Sequence, residues 1–492
     1  MNTPLRTRLA AATLLAFALL CGVAPRVGAQ GDVVSVAGVF VEPTSRRKPS
    51  ARTSAPAPSR RLAQKRTRAA STPATTTTAG NTPKTTGGKR NTGSKPPAES
   101  AESLNARGLA LARAGNHAQA LDLFKQALAL KPNYEDAHFN AGVSYFETGR
   151  FNEATDAFKE STRLDPNDAE AWGYLGSSYA KAARHAEAAN AFERAVQLDA
   201  DDAETRYALA DAYANAGQND KAIDALKQAV RLKPDMAEAY EALGDAQLKQ
   251  KRFPEAAEAY RSLTRLRPQD AEAFSDLGDA LREVGKFKDA AEAYRQAVRL
   301  KPGDAELQHS LGYTLGRDAR WADAGVALNE ALRLKPDYEE ARVNLGWVLN
   351  NSKKYQESIQ TLKPAVAAHP EDPAAHFNIG IAYSRLAASQ SNNQKPLFEQ
   401  ARDAFVQAVR LKPEWAEAHN NLGYAQGALG KWKEAVGEHA EAVRLKPDYD
   451  GAYFNLSVAY RKSGDRKKSI ETYNKLVAMN PLLAAKLYPI IK

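Results

Sequence analysis

Apolar residues recur through most of this chain at the three- and four-residue spacing that is typical of amphipathic helices. Residues 271–304 show two apolar stripes on either side of Gly285, and Pro302 follows the second stripe. Proline lacks an amide N–H and disfavours helical backbone in the residue before it, so Pro302 predicts the end of a helix. The segment is therefore predicted to be a pair of helices. The stripes consist of Phe274, Leu277, Leu281 and Val284 and of Ala290, Tyr294, Ala297 and Val298.

Proline recurs at this place in a regular series. Its members are Pro132, Pro166, Pro234, Pro268, Pro302, Pro336 and Pro370, all on a 34-residue lattice with Ala200 at the one missing place, then Pro413 after 43 residues, and Pro447 and Pro481 at the spacing of 34 again. A fixed period of this length indicates a tandem repeat architecture. It predicts eleven units, which are 101–134, 135–168, 169–202, 203–236, 237–270, 271–304, 305–338, 339–372, 373–415 with a nine-residue insertion, 416–449 and 450–483.

Small residues recur at two fixed places in the predicted helix pairs. Nine of the eleven units have glycine at their eighth position, as at Gly142 and Gly244, and every unit has alanine or serine at its twentieth once the insertion is discounted. Glycine within a helix costs about 1 kcal/mol relative to alanine. Its recurrence therefore predicts that the two helices of each pair approach each other closely.

The pattern resembles the tetratricopeptide repeat, whose signature is W-x2-L-G-x2-Y, then A-x3-F, then P. Residues 169–202 match it with Trp172, Leu175, Gly176, Tyr179, Ala188 and Phe192, and with Ala200 in place of proline. The resemblance covers residues 101–483 and implies an all-α, right-handed superhelical α-solenoid with a concave groove lined mainly by first helices. Because the end units of a solenoid need covering, residues 482–492 are predicted to form a capping helix. The insertion, around residues 389–394, is predicted to form a longer polar loop ahead of Pro396.

Residues 1–29 have the features of a secretory signal. Two arginines precede an apolar run from Leu9 to Val23, and small residues end at Ala29, which is the three-part arrangement of such signals. We therefore expect cleavage after Ala29 and an exported protein, periplasmic or secreted. The alternative is an uncleaved membrane anchor, although the run is shorter than the roughly 20 residues of a spanning helix. Cys21 follows Leu20 rather than the small residue of a lipoprotein signal, so lipidation is not expected.

Residues 30–100 are predicted to be a disordered basic tether rich in Pro, Ser and Thr. After Phe40 the segment has no aromatic residue, and it has too little apolar surface to offset its chain entropy. Near its start, residues 33–41 form the β-prone run VVSVAGVFV. This run is predicted to be a poorly ordered N-terminus of the mature chain, and strand addition to a partner is the alternative.

The formal net charge of +10 is unevenly distributed along the chain. Residues 1–30 carry +3, residues 31–100 have 13 basic residues against three acidic ones, and the remainder carries −3. Whole-chain basicity therefore does not describe the repeats. The single cysteine among 492 residues excludes a disulfide framework and a cysteine-based zinc site.

The repeats leave no room for a catalytic domain, and the sequence has no Gly-rich phosphate loop, H-E-x-x-H or G-x-S-x-G motif. We therefore expect no enzyme activity, no catalytic or metal-binding residues and no cofactor. His376 and His419 occupy equivalent places in neighbouring units; we expect polar packing there, with a metal pair as the alternative. Acidic residues before helices, such as Asp168 and Asp270, are predicted to cap them.

In the repeat family, the fifth, ninth and twelfth positions of the first helix face the groove. Aromatic anchors carry much of the energy of protein interfaces, and the middle units place carboxylates at these positions. The candidate binding residues are Phe139, Val143, Tyr207, Asp211, Glu241, Asp245, Asp279, Tyr313, Trp347, Phe377, Tyr424 and Phe454. The alternative for the rings is packing between repeats. The carboxylate clamp of chaperone-binding relatives is not expected, since the fifth and ninth positions carry no lysine.

The leading interpretation is a non-enzymatic scaffold of the cell envelope that binds a protein or peptide in the groove. A further expected partner is the chain's own basic tether, which is opposite in charge to the acidic middle units. The alternative function is a polyanion or membrane-surface binder acting through the tether. Nucleic acid is not expected, because no aromatic residues are interleaved with the basic ones for base stacking.

Overall fold

The structure is a computed structural model, and it describes residues 99–390, 392 and 394–492. The predicted signal peptide, the apolar run at 33–41 and the predicted tether up to residue 98 lie outside the described residues. The chain divides into two compact units, whose described parts are residues 99–300 and 301–492. Each unit is described by itself.

Residues 99–300 form a succession of helices in which each helix packs against the next. From α1 to α22, odd-numbered helices are the first helices of the predicted pairs and even-numbered ones are the second helices. The helices are α1 Ala101–Arg113, α2 His117–Leu130, α3 Glu135–Glu147, α4 Phe151–Leu164, α5 Ala169–Lys181, α6 His185–Leu198, α7 Ala203–Asn215, α8 Asn219–Leu232, α9 Ala237–Lys249, α10 Phe253–Leu266, α11 Ala271–Glu283 and α12 Phe287–Leu300.

Residues 301–492 continue in the same way, and the described part of the chain contains no strand, so the all-α prediction is confirmed. The helices are α13 Ala305–Arg317, α14 Trp321–Leu334, α15 Glu339–Asn351, α16 Tyr355–Ala368, α17 Pro373–Ser389, α18 Gln394–Leu411, α19 Ala416–Ala428, α20 Trp432–Leu445, α21 Asp450–Ser463, α22 Arg466–Met479 and α23 Pro481–Ile491.

The eighth-position glycines allow a large side chain of the second helix to lie against the backbone of the first. A Cβ placed on Gly142 would lie 2.7 Å from the ring of Phe158, and one placed on Gly244 would lie 2.6 Å from the ring of Tyr260. Both distances are shorter than van der Waals contact, so alanine does not fit without displacing the ring. The close approach predicted from the glycine pattern is confirmed.

Side chains at two fixed positions hold the turn between successive pairs. Asp168 Oδ1 accepts hydrogen bonds from the backbone N–H groups of Glu170 (3.0 Å) and Ala171 (3.3 Å), and Asp270 repeats this arrangement. The predicted capping role of these aspartates is confirmed. Because the first N–H groups of a helix lack partners within it, such a carboxylate is stabilising there.

In three units, the side chain of the fourth residue donates to the carbonyl six residues before it. Trp172 Nε1 bonds Pro166 O at 3.0 Å, His376 Nε2 bonds Pro370 O at 3.0 Å, and His419 Nε2 bonds Pro413 O at 2.9 Å. The two equivalent histidines therefore pack as polar caps on the proline turns, which is the expected explanation for them.

The prediction of a long polar loop in the ninth unit is wrong. Helices α17 and α18 have 17 and 18 residues, whereas α15 and α16 have 13 and 14. Most of the insertion therefore extends the two helices by about one turn each, which requires no new buried loop. Pro396 is the third residue of α18, where its missing N–H costs nothing because the first N–H groups of a helix have no intrahelical partner.

The last helix, α23, covers the last repeat, as predicted for residues 482–492. Leu487 and Ala484 of this helix are buried in a cluster with Phe454 and Leu476. Arg461 Nε donates to Ile491 O at 2.9 Å, which fixes the far end of the helix. Among the described residues, no helix is long and apolar enough to cross a membrane.

Candidate ligand-binding face

We call the side chains at the fifth and ninth positions of the first helices the 5/9 face. The structure divides the twelve predicted binding residues, all on this face, into two groups by solvent exposure. The half-buried group is Val143, Tyr207, Asp211, Glu241, Asp245 and Tyr424. The buried group is Phe139, Asp279, Tyr313, Trp347, Phe377 and Phe454.

Neighbouring side chains bond the acidic candidates Asp245, Asp279 and Glu241. The hydroxyl of Tyr260 donates to Asp245 Oδ1 at 2.8 Å. The hydroxyl of Tyr294 donates to Asp279 Oδ1 at 2.7 Å, and Asp279 also lies 3.2 Å from the guanidinium of Arg282. Burial and the neighbouring carboxylate raise the pKa of Tyr294 well above its ordinary value. The expectation that Asp279 is an exposed groove carboxylate is wrong, because this pair is enclosed in the protein.

Glu241 is the third of these partnered acids. Its carboxylate accepts from Arg267 at 2.8 Å, and the other arm of the same guanidinium bonds Glu238 at the same distance. Unlike Asp279, Glu241 keeps part of its surface exposed. A carboxylate has about four lone-pair sites, so one guanidinium contact leaves Glu241 able to accept further hydrogen bonds from a ligand.

The sequence contained a signal for the tyrosine–aspartate pairs. Tyr260 and Tyr294 stand at the twenty-fourth position of their units, and both units have aspartate fifteen residues earlier. The last unit also has a tyrosine at this position, Tyr473, but it has Val458 fifteen residues earlier and its ring lies 5.9 Å from that of Tyr488 in the capping helix. Tyr260 and Tyr294 lie in repeats that have a further repeat on each side. In both, tyrosine rather than phenylalanine at the twenty-fourth position occurs together with an aspartate that accepts the hydrogen bond of its hydroxyl.

Two aromatic candidates within residues 301–492 pack between helices. The ring of Trp347 meets Trp321 edge-on, with centroids 5.4 Å apart and planes at 82°. Phe377 is fully buried and stacks on Trp415 with centroids 4.4 Å apart. The expectation that these rings are exposed is wrong, and the alternative of packing between repeats applies to both.

The other buried rings are also enclosed by neighbours. Phe139 meets Tyr174 edge-on at 5.6 Å, and Phe454 belongs to the cluster beneath the capping helix. The hydroxyl of Tyr313 accepts from Arg317 at 3.0 Å while its ring is 1% exposed. The expected exposure is wrong for these three residues as well, and binding by the half-buried group stays a prediction.

Tyr424 is partly covered by a ring of the preceding repeat. Phe398, in the first turns of α18, packs edge-on against the Tyr424 ring with centroids 6.1 Å apart. The resulting burial raises the pKa of Tyr424. Phe398 holds the place that Trp321 holds in its own unit, and Trp321 likewise packs on the ninth-position Trp347 of the next unit.

Models of known protein families match most of the repeat region. A model described as the cilia and flagella-associated protein 70 C-terminal domain matches residues 104–277. Models described as TPR repeat and tetratricopeptide repeat match residues 278–318 and 317–377. The chain is a tetratricopeptide repeat protein. A fourth model, the bacterial transcriptional activator domain, matches residues 393–480.

Solved structures similar to this tetratricopeptide repeat protein include MamA, with 27% identity over 34% of this chain and 96% of that chain and a TM-score of 0.32. The Cut9–Hcn1 hetero-tetramer of the APC/C has 13% identity, over 80% of this chain and 96% of that chain, with a TM-score of 0.40. A thermophilic TPR protein of Thermus thermophilus has 21% identity, over 38% of this chain and 99% of that chain, with a TM-score of 0.33. No curated protein sequence matches the chain significantly.

Three polar junctions, which the sequence analysis missed, join successive repeats of this tetratricopeptide repeat protein. In each, a fifth-position Asn or His contacts the tyrosine that ends its own unit and the sixth-position Asn of the next unit. The junctions are Asn105 with Tyr134 and Asn140, His309 with Tyr338 and Asn344, and Asn420 with Tyr449 and Asn455. The spacing of 29 and 35 residues could have revealed them, since it occurs three times.

The third junction has one more member, His439. Its Nδ1 lies 2.9 Å from Asn420 Oδ1, and its ring occupies the place against Gly423 that Phe, Tyr or Leu fills in other units. Burial lowers the pKa of His439 to about 3. The imidazole is therefore neutral at physiological pH and donates one N–H to Asn420.

Within the described residues, no cluster of His, Cys, Asp and Glu is placed to hold a metal ion. Burial alone would lower the pKa of His419, but its hydrogen bonds to Glu438 and to Pro413 O raise it. Its two ring nitrogens thus have structural partners. The tetratricopeptide repeats are a scaffold that presents side chains on stacked helices.

Proposed function

We propose that this tetratricopeptide repeat protein is a non-enzymatic scaffold of the cell envelope that binds a protein partner on the 5/9 face of α7 and α9. One observation carries the proposal. Tyr207, Asp211, Glu241 and Asp245 are all half-buried, so two successive first helices present both of their 5/9 side chains to solvent.

The chemistry of these four residues suits a basic segment with apolar side chains. Asp245 accepts a hydrogen bond from Tyr260, and Glu241 accepts one from Arg267. These contacts also fix the direction of the two carboxylates. Preorganised acids of this kind favour specificity and fast association more than raw affinity. Tyr207 supplies the amphipathic ring that is enriched at interface hot spots.

Export is supported by the sequence of residues 1–29, with its basic start, apolar run and small residues before Gln30. Cell fractionation and N-terminal sequencing of the mature protein test it. The expected result is a periplasmic or secreted chain that begins at Gln30. A cytoplasmic chain that keeps residues 1–29 would contradict the location and leave the binding proposal standing.

Site-specific photo-crosslinking in cells tests the binding proposal. Benzoylphenylalanine replaces Tyr207 in the full chain, and a matched variant carries it in place of Lys227, an exposed residue of the second helix α8. We expect discrete adducts from position 207 that are absent from position 227. Asp211→Lys in the same chain should weaken those adducts, because a like charge repels a basic partner. Equal adducts from both positions would refute the proposal.

A further inference from the structure

We propose that the outer surface of the last two helices, α22 and α23, binds an anionic phospholipid membrane. We call this surface the end face, and its apolar members are Ile470, Val477, Leu482, Tyr488 and Ile490. The inference goes beyond the proposed function, because it does not involve the 5/9 face. It also differs from membrane binding through the tether, since the end face belongs to the repeat region.

The last helix is apolar on its outer side as well as on its inner side. Ala484 and Leu487 of α23 are buried against the last repeat. Successive residues of an α-helix point about 100° apart, so Leu482 and Ile490 lie on the other side of α23, where they are 82% and 36% exposed. The end repeat of a solenoid ordinarily has a polar outer face. Contiguous apolar surface at such an end marks an interaction site.

Ile470 adds apolar surface from α22. It stands at the twenty-first position of its unit, where Leu121, Ile223 and Ile359 are at most 5% exposed because a full repeat packs against each of them. Ile470 is instead 44% exposed. Helix α23 therefore covers only part of the surface that a further repeat would bury.

Contacts of α23 bring the exposed side chains of the two helices together. The ring of Tyr488 lies 5.9 Å from that of Tyr473 in the middle of α22. Arg461, which precedes α22 at the end of α21, donates to Ile491 O at 2.9 Å. The C-terminal end of α23 thus lies beside the first turns of α22, which contain Ile470. The exposed apolar side chains of both helices can therefore meet the same partner.

The end face is basic, in contrast to the repeats before it. Residues 461–492 contain eight lysines and arginines against two acidic residues, a net charge of +6, whereas residues 101–460 carry −9. Lys475, Lys486 and Lys492 are exposed on the same two helices as the apolar residues. Lysine stems lie along apolar surface while the ammonium groups stay in a polar layer.

This combination suits an anionic membrane surface. Apolar side chains enter the boundary between headgroups and acyl chains, and nearby lysines attract the anionic headgroups. Tyr488 supplies an amphipathic ring of the kind that is enriched at this boundary. A second copy of the chain is a poorer occupant, because two end faces brought together would oppose like charges.

A polarity-sensitive fluorophore on the purified full chain tests the inference. The chain carries Cys21→Ser and Leu482→Cys, and its one thiol is labelled with NBD, whose emission rises in an apolar environment. The matched control carries Val326→Cys in place of Leu482→Cys, since Val326 is an apolar residue of α14 that is 72% exposed. Both chains are titrated with phosphatidylcholine vesicles that contain or lack phosphatidylglycerol.

We expect the emission from position 482 to rise about threefold with vesicles that contain phosphatidylglycerol, because the label enters the acyl boundary. It should change little with phosphatidylcholine alone, and position 326 should respond to neither. Lys486→Glu together with Lys492→Glu should raise the lipid concentration for half of the rise about tenfold, because basic residues carry the attraction to anionic lipid. Both lysines are exposed, so the fold tolerates these substitutions.

Several results would overturn the inference. These are no rise at position 482, an equal rise at position 326 or with phosphatidylcholine alone, and no effect of the two glutamates. A rise without lipid that grows with protein concentration would assign the end face to a second copy instead. Attachment through residues 1–98 alone leaves the label at position 482 in water. The adducts from position 207 are scored separately, so either proposal can fail without the other.

Discussion

The indole of Trp347 occupies the space that a side chain on Gly316 would need. A Cβ placed on Gly316 would overlap Cζ3 and lie 2.9 Å from Cη2 of that ring. The two residues lie in the first helices of successive repeats, α13 and α15, so the contact joins one repeat to the next. A glycine at the twelfth position thus serves inter-repeat packing, separately from the glycine at the eighth.

Gly316→Ala should lower the free energy of unfolding by about 1–3 kcal/mol, because the added methyl group displaces the Trp347 ring in a packed interface. The urea midpoint and the Trp fluorescence of the unfolding transition measure this. Gly437→Ala is the matched control, since a Cβ there meets nothing within 4 Å in the helix α20. It should raise stability by about 1 kcal/mol through helix propensity alone. Equal effects of both substitutions would contradict the packing argument.

Tyr294→Phe should lower the free energy of unfolding by about 1–3 kcal/mol, because it removes a donor from the buried Asp279 carboxylate. Tyr260→Phe should cost less, since Asp245 is half-buried and water can replace the phenol. A double-mutant cycle with Asp279→Asn separates the pair from the general effect of losing a hydroxyl. Additive costs in that cycle would show that Tyr294 and Asp279 do not interact.

His439→Phe should reduce the acid sensitivity of the protein. The pKa of His439 is about 3 in the folded chain and about 6.5 when unfolded, so protons bind preferentially to the unfolded chain between these values. The free energy of unfolding therefore falls as pH drops from about 6.5, by at most about 1.4 kcal/mol per pH unit. His419 acts in the opposite sense because its pKa is raised.

Urea unfolding at pH 7 and pH 5 checks this prediction, since pH 5 lies above the range in which most carboxylates titrate. The stability lost between the two pH values should be larger in the wild type than in His439→Phe. His419→Gln is the control, and it should change the pH dependence in the other direction. A His439→Phe chain with the same loss as the wild type would mean that the imidazole titrates normally.

Asn420→Ala should destabilise the protein more than Asn105→Ala. Asn420 contacts Tyr449, Asn455 and His439, all of which keep polar groups inside the protein, and it is itself fully buried. Each buried group left without a partner costs about 1–3 kcal/mol. Asn105 contacts only Tyr134 and Asn140 among these junction partners, with a longer bond of 3.4 Å to the tyrosine. The order of the two urea midpoints decides the prediction.

Much of the fold follows from local features of the sequence. Pro302 and its equivalents end helices by covalent geometry, Asp168 and Asp270 cap them with their own side chains, and Gly142 marks a close approach that any bulkier residue would prevent. These effects act within a few residues or within one repeat. They can therefore be recognised without knowledge of the neighbouring repeats.

The candidate site was harder to predict because burial on the 5/9 face depends on residues far along the chain. Phe377 has the same periodic position as Tyr207, yet Trp415 stacks on Phe377 while Tyr207 keeps part of its surface exposed. Asp279 has the same position as Asp211, but Tyr294 and Arg282 enclose it. Helical periodicity gives the direction of a side chain, and only its partners decide whether it meets solvent.

The lengthened pair α17 and α18 shows which changes in length this architecture accepts. About four residues added to each of the two helices extend both by roughly 6 Å, while the proline series continues at its spacing of 34 from Pro413 onward. Lengthening both helices of a pair by the same number of turns therefore extends that repeat along its helix axes. The contacts of the later repeats keep their register. Phe398, which follows the insertion, therefore still packs on Tyr424 of the next repeat, as Trp321 packs on Trp347 in repeats of ordinary length.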